Sequence, residues 1–320
     1  MDNVQEVSRL KFFPITFFAS VMGLTGLTIA LQRFFEVFRI EASGFINFLI
    51  LLVTGWFFFL TLVYILKFLK YPDEVKKEFK HPVKINFLPT FSISLILLSI
   101  AYGKINITVS YIFWISGAFI HLFLLFYIIN RWIFNEFKII VKNPSWFIPV
   151  VGPILVPISG VNFSHEISWF YFSIGITLWL PILTILLYRL IFAEPLPEKL
   201  LPTLFIFLAP PAVAFISYVK LTDNIDTFAK ILFNFGIFSF LLLLTFIRKF
   251  TSLKFYLSWW AYTFPMAAFT ISLFLYYQKT NMEIFGIFAT ISLSLTIIIV
   301  INVAIRNLIS VRRREICVEE

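Results

Sequence analysis

Ten stretches of this chain run for about twenty residues with almost no charge, each long enough to cross a hydrocarbon core of about 30 Å as a helix. They cover residues 14–35, 44–66, 85–103, 106–130, 146–163, 168–188, 200–219, 229–247, 255–277 and 283–305. Polar turns such as Tyr71–Pro82 and Ala193–Lys199 separate them. Charged residues make up 13% of the 320, about half the share of a typical soluble domain. The polar surface needed to cover a water-soluble body of this size is missing. The chain therefore reads as an all-α integral membrane protein, with residues 1–320 forming a single transmembrane domain and no cleavable leader.

The net charge of +9 belongs to the loops, where it sets orientation and meets anionic lipid; nucleic acid is not a partner. Twenty of the 26 Lys and Arg fall on the side holding both termini and the turns after the even-numbered runs; six fall on the other side. The positive-inside rule then predicts a multi-pass protein of the cell membrane with both termini in the cytoplasm. The single cysteine, Cys317, excludes a disulfide framework or a cysteine metal cluster.

The fifteen prolines are unevenly placed. Nine lie in odd-numbered runs (Pro14, Pro89, Pro149, Pro153, Pro157, Pro202, Pro210, Pro211, Pro265) and one, Pro181, in an even run. The leading ones, at 14, 89, 149, 210 and 265, recur every 55 to 75 residues in rhyming contexts: FFP, FLP, FIP, LAPP and TFP. Such a period indicates a repeated unit, here a helical hairpin used five times. Proline inside a helix removes the bond to the carbonyl four residues back. Pro265 would free the Ala261 carbonyl, and Pro210 and Pro211 those of Ile206 and Phe207. Lipid cannot satisfy such groups. The kinked odd helices are therefore expected inside, around a central path, with five straighter even helices outside.

Little points to catalysis. The aspartates (Asp2, Asp73, Asp223, Asp226) all lie in loops, and His165-Glu166 lacks the second histidine of a zinc helix. No catalytic residue, cofactor or metal is expected. Intramembrane Asp or Glu, the usual mark of proton-coupled transport, is missing apart from Glu283 at a run's edge. His121, in the fourth run, reads as hydrogen-bonded packing rather than a proton relay. The odd runs instead carry hydroxyls and small residues, including Thr16, Ser20, Gly23, Ser92 and Thr263. These suit close helix packing and equally a narrow, neutral path. The lack of an acidic ring speaks against cations, and basic charge at the cytoplasmic mouth favours anions.

The runs PITFFASVMGL from Pro14, HPVKINF, NPSWFIPVVGP, LAPPAVAFISY, DTFAKIL and WWAYTFPMAA resemble, in order, the tellurite-resistance/dicarboxylate transporter family. That family takes in the bacterial protein TehA and the plant slow-type anion channels of guard cells. The resemblance implies ten helices as five hairpins around a pore, assembly as a homotrimer with one pore per subunit, and a gate formed by the phenylalanine of the ninth-helix TFP motif. The matching position is Phe264. Related first helices often have glycine where this chain has Thr16 and Ala19, which bears on pore width.

The expectation is a passive channel for small inorganic anions such as nitrate and chloride, gated by Phe264. The prolines at 14, 89, 149, 153, 210 and 265 would kink its lining helices, and Thr16, Ser20, Gly23, Ser92 and Thr263 would line it. The alternatives are a carrier or exporter of C4-dicarboxylate, sulfite or tellurite, and a non-transporting signalling or scaffold protein.

Overall fold

The computed structural model describes residues 9–318, and among them it is built of helices and turns without a strand. Asp2 and the last two glutamates of the tail lie outside the described residues. In chain order the α-helices are α1 (Phe18–Val37), α2 (Ser43–Lys70), α3 (Pro72–Lys80), α4 (Thr90–Tyr102), α5 (Ile107–Phe134), α6 (Ile148–Leu155), α7 (Pro157–Gly160), α8 (His165–Phe192), α9 (Ala209–Thr222), α10 (Thr227–Thr245), α11 (Ile247–Thr251), α12 (Thr263–Thr280) and α13 (Glu283–Arg312).

Among the described residues, eight helices are long and apolar enough to cross a membrane. The fifth and ninth runs fall outside that set. The fifth is a shorter apolar segment, Pro144–Gly160, broken by its own prolines. The ninth is α12 with a preceding 3₁₀ stretch, and its last turn, Gln278–Thr280, is polar. Several even helices run further than their apolar cores: α13 continues to Arg312 and α8 spans His165 to Phe192. Hydropathy marks the lipid-compatible part, whereas backbone hydrogen bonding continues into the polar flank.

Burial divides the eight into two classes. Ile15–Val37, Lys84–Tyr102 and Glu198–Thr222 are 67–89% buried, while the other five are 22–44% buried and show long apolar side chains outward. The buried elements contact one another in a circuit: α1 meets α4, α4 meets α6, α6 meets α9, α9 meets α12, and α12 returns to α1. Each also packs on the exposed helix that follows it, as α4 does on α5 and α12 on α13. Small residues set the spacing. A Cβ on Gly175 of α8 would stand 2.9 Å from the Ile154 backbone nitrogen of α6, so only glycine admits this approach.

The prolines act differently from mid-helix kinks. In each odd run a 3₁₀ stretch leads into an α-helix, as Lys84–Phe87 leads to α4, Glu198–Leu208 to α9 and Leu257–Tyr262 to α12. Pro89 immediately precedes α4, Pro149 and Pro210 sit in the first two positions of α6 and α9, and Pro265 is third in α12. Pro14 stands one 3₁₀ turn before α1. The missing N–H thus falls where bonding changes from i−3 to i−4, a position that tolerates proline. The Ile206 carbonyl, expected to be freed by Pro210, instead accepts the Ala209 N–H in the 3₁₀ register. Pro153 does lie inside α6.

The polar turn Tyr71–Pro82 contains a helix. Pro72 opens α3, Asp73 and Glu74 occupy its first turn, and Lys77 and Lys80 its last, which matches the helix dipole at both ends. Lys67, 1% exposed, donates to Glu78 Oε1 at 2.9 Å and to the Phe13 carbonyl at 2.8 Å, and the Tyr64 hydroxyl donates to Glu78 Oε2 at 2.7 Å. A buried ion pair needs such extra hydrogen bonds to offset desolvation. This one ties α3 to the residue that precedes Pro14.

Candidate functional site

A cavity of about 270 Å³ opens at one end of the buried circuit. Five segments line it: Pro14 to Met22, Val83 to Ile93, Ile148 with Val151, Lys199 to Ala209, and Tyr256 to Pro265. Each contributes the 3₁₀ stretch or the first turns of the α-helix that follows. Five α-helix N-termini are therefore gathered here, the ends at which the backbone dipole is positive. The side chains add to that sign. Lys84 and Lys199 line the cavity, and no lining residue is acidic among the described residues.

The walls are otherwise apolar with a few hydroxyls. The Thr90 hydroxyl donates to the Phe87 carbonyl at 2.6 Å and that of Ser258 to the Lys199 carbonyl at 2.5 Å. His81 Nδ1 accepts the backbone N–H groups of Val83 and Lys84, both at 3.1 Å, so the ring's other nitrogen carries the proton. Trp260, 3% exposed, also lines the cavity, and its indole N–H has no acceptor among the described residues.

Of the residues singled out from the sequence, Pro14, Thr16, Phe264 and Pro265 come together on this wall. Phe264 is 5% exposed and rests on α1, where a Cβ added to Gly26 would stand 3.4 Å from its Cδ2. The others lie outside the lining. Ser20 donates to the Phe17 carbonyl and accepts the Trp56 indole N–H at 2.8 Å. The Thr263 hydroxyl donates to the Trp260 carbonyl and fills the space where Gly23 has no side chain. Gly23 is thus a seat for α12 against α1. Pro89, Pro149, Pro153 and Pro210 act on the backbone behind the wall.

Ser92 belongs to a buried joint. His121 is 0% exposed; its Nε2 lies 2.9 Å from the Pro149 carbonyl and its Nδ1 2.9 Å from the Ser92 hydroxyl. A carbonyl only accepts, so Nε2 bears the proton and Nδ1 faces the Ser92 hydroxyl as an acceptor, sharing its proton with the Pro89 carbonyl at 3.0 Å. Pro149 is the carbonyl that Pro153, having no N–H, leaves without its α-helical donor. His121 supplies the replacement and locks α4, α5 and α6 together, in line with a packing role.

Sequence reading missed the cationic lining residues Lys84 and Lys199. Their signal is a lysine shortly before the proline that opens an odd run, also present as Lys11, Lys142 and Lys254. Nothing in the spacing separates the two that reach the cavity from the three that do not.

Comparison with known proteins bears on this geometry. The profile of the SLAC1 family, described as voltage-dependent anion channel, matches residues 12–308. An uncharacterised transporter of Methanocaldococcus jannaschii is 32% identical over 307 residues, covering 87% of this chain and 88% of that one. The S-type anion channel SLAH2 of Arabidopsis thaliana is 28% identical, covering 92% of this chain and 59% of the plant protein. A tellurite resistance protein TehA homologue of Haemophilus influenzae is 24% identical, with 90% and 89% covered.

Proposed function

Because the chain belongs to the SLAC1 voltage-dependent anion channel family, we propose that it is a passive channel for monovalent inorganic anions such as nitrate and chloride, closed by Phe264. The observation that carries this reading is the cavity. Five helix N-termini and two lysines surround it, beside the neutral His81 ring and with no carboxylate among its described lining residues, and Phe264 forms part of its wall. An anion entering there meets a positive field from backbone and side chains alike. Beyond the mouth the wall is apolar, so an ion must shed water to pass. Ions that dehydrate cheaply pass best, which places nitrate ahead of chloride.

In this reading the two partial runs also cross the membrane. Ten helices then form five hairpins around the path, within one transmembrane domain over residues 1–320. The circuit of contacts among α1, α4, α6, α9 and α12 supports it. The excess of lysine and arginine on the cavity side supports a cell-membrane protein with cytoplasmic termini. The exposed apolar faces of α2, α5, α8, α10 and α13 accommodate lipid and partner copies, and a homotrimer with one path per subunit follows from the resemblance. The activity is transport rather than catalysis, with no cofactor assigned.

The experiment that tests the mode of transport is flux into proteoliposomes. Nitrate flux is expected to be electrogenic and linear in concentration. Saturable uptake of malate with counter-exchange would overturn the channel in favour of a dicarboxylate carrier.

A further inference from the structure

Four cations gather at the other end of the same helices. Arg33 lies near the end of α1, Lys104 just after α4, Lys220 in the last turn of α9 and Lys279 in the last turn of α12. Counted from cavity-lining residues on the same segments (Ala19, Thr90, Ala209 and Pro265), they stand 11 to 14 residues further along. At 1.5 Å per residue that is about 16–21 Å. The odd helices thus carry basic charge at both ends, although the loops on this side hold only six of the 26 Lys and Arg.

The four form one electrostatic group. Arg33 Nη1 donates to Glu36 Oε2 and to Gln278 Oε1, each at 3.3 Å, and Lys104 pairs with Glu36 Oε1 at 2.8 Å. Lys279 pairs with Asp223 Oδ1 at 2.5 Å. That hydrogen bond holds the Asp223 carboxyl below its ordinary range, so the pair stays ionised at neutral pH. The charges of Arg33, Lys104, Glu36 and Lys279 all act on Lys220. Lys220 is exposed and has no carboxylate within ion-pair distance among the described residues.

Within this linked group four cations stand against two paired carboxylates where four helix C-termini converge, while Glu41, Glu166, Asp226 and Glu283 lie at the loops of the same side outside it. Helix C-termini are negative, each equivalent to about half a charge. Without the cations, this mouth would repel an anion that the opposite end attracts. We propose that Arg33, Lys104, Lys220 and Lys279 form a second anion-attracting mouth at the end of the path opposite the cavity, with Lys220 as the cation that meets the ion. The proposal rests on the channel reading above. It differs from simple dipole capping, which would stabilise the helices and leave permeation unchanged.

Chloride current through Phe264→Ala in planar bilayers tests it, with Lys220→Gln and Lys220→Arg added in turn. At about 20 mM salt, Lys220→Gln is expected to lower the current of chloride entering from the Lys220 face about twofold, the effect of one charge some 8 Å from the ion. Lys220→Arg keeps the current. At 1 M salt, where the screening length is about 3 Å, the Gln variant matches its parent. Lys104→Gln, which leaves Glu36 paired with Arg33, should repeat the pattern and serves if the Lys220 variant does not fold. No loss at low salt, or an equal loss at both concentrations, overturns the proposal. Absence of any anion current in Phe264→Ala itself refutes the channel reading and the proposal together.

Discussion

Phe264→Ala is expected to raise anion conductance by roughly tenfold or more over the wild type, the change produced by lowering a barrier by about 1.4 kcal/mol. The ring is 5% exposed, lines the cavity and lies on α1 over Gly26. On the proposed gating, removing it would widen the path and wet an apolar constriction that excludes an ion by dewetting. Phe264→Leu should fall between the two. The competing account is ordinary packing, in which truncating a buried phenylalanine costs about 3–5 kcal/mol and opens nothing. Thermal unfolding recorded beside conductance separates them. A conducting variant with a nearly unchanged Tm supports the gate, and a silent variant with a large fall in Tm rejects it.

Gly152→Ala is expected to cost about 2–6 kcal/mol of stability. The added Cβ would stand 1.9 Å from Cε1 and 2.2 Å from Nε2 of His121, far inside contact distance. The neighbour is a ring pinned on both nitrogens rather than the end of a flexible chain. Relief therefore means moving His121 off the Pro149 carbonyl or parting α5 from α6. Overpacking of this kind costs about 1–3 kcal/mol, and a buried carbonyl left without a donor a further 1–3. The check is a double-mutant cycle on Tm in detergent. His121→Ala removes the obstacle, so Gly152→Ala should cost far less in that background than in the wild type. Equal costs in both would mean that the contact is not what limits the site.

The proline repeat carried most of what could be read ahead of the structure. The spacing of FFP, FLP, FIP, LAPP and TFP marked the five segments that meet at the cavity, because proline belongs where helical bonding is already interrupted. That interruption proved to be a change from 3₁₀ to α bonding at the first turn rather than a kink at the midpoint. The two differ by one residue in hydrogen-bond register, which side-chain pattern does not encode. Helix α3 was legible in PDEVKKEFK, with proline first, acids next and lysines last, but its polarity disguised it as a turn.

The hydroxyls were read by type, and type does not tell partner. Ser92 serves His121, Ser20 serves Trp56, and Thr270 bonds Ser292 and Thr296 across α12 and α13. Sequence distances of 22 to 36 residues separate these pairs, so only the folded chain joins them. The four cations opposite the cavity were hidden in the same way. Counted by loop they were a minority side; brought together at the ends of four helices they become one group.

The most direct measurement is the reversal potential of Phe264→Ala in a planar bilayer under a tenfold gradient of potassium nitrate. A path surrounded by helix N-termini and lysines must pass the anion, so the potential should lie close to the nitrate equilibrium value, about 58 mV in magnitude. The sign is that of anion selectivity, and nitrate should carry more current than chloride. A potential near the potassium value, of opposite sign, would contradict the account, because no cation should cross a mouth of this charge.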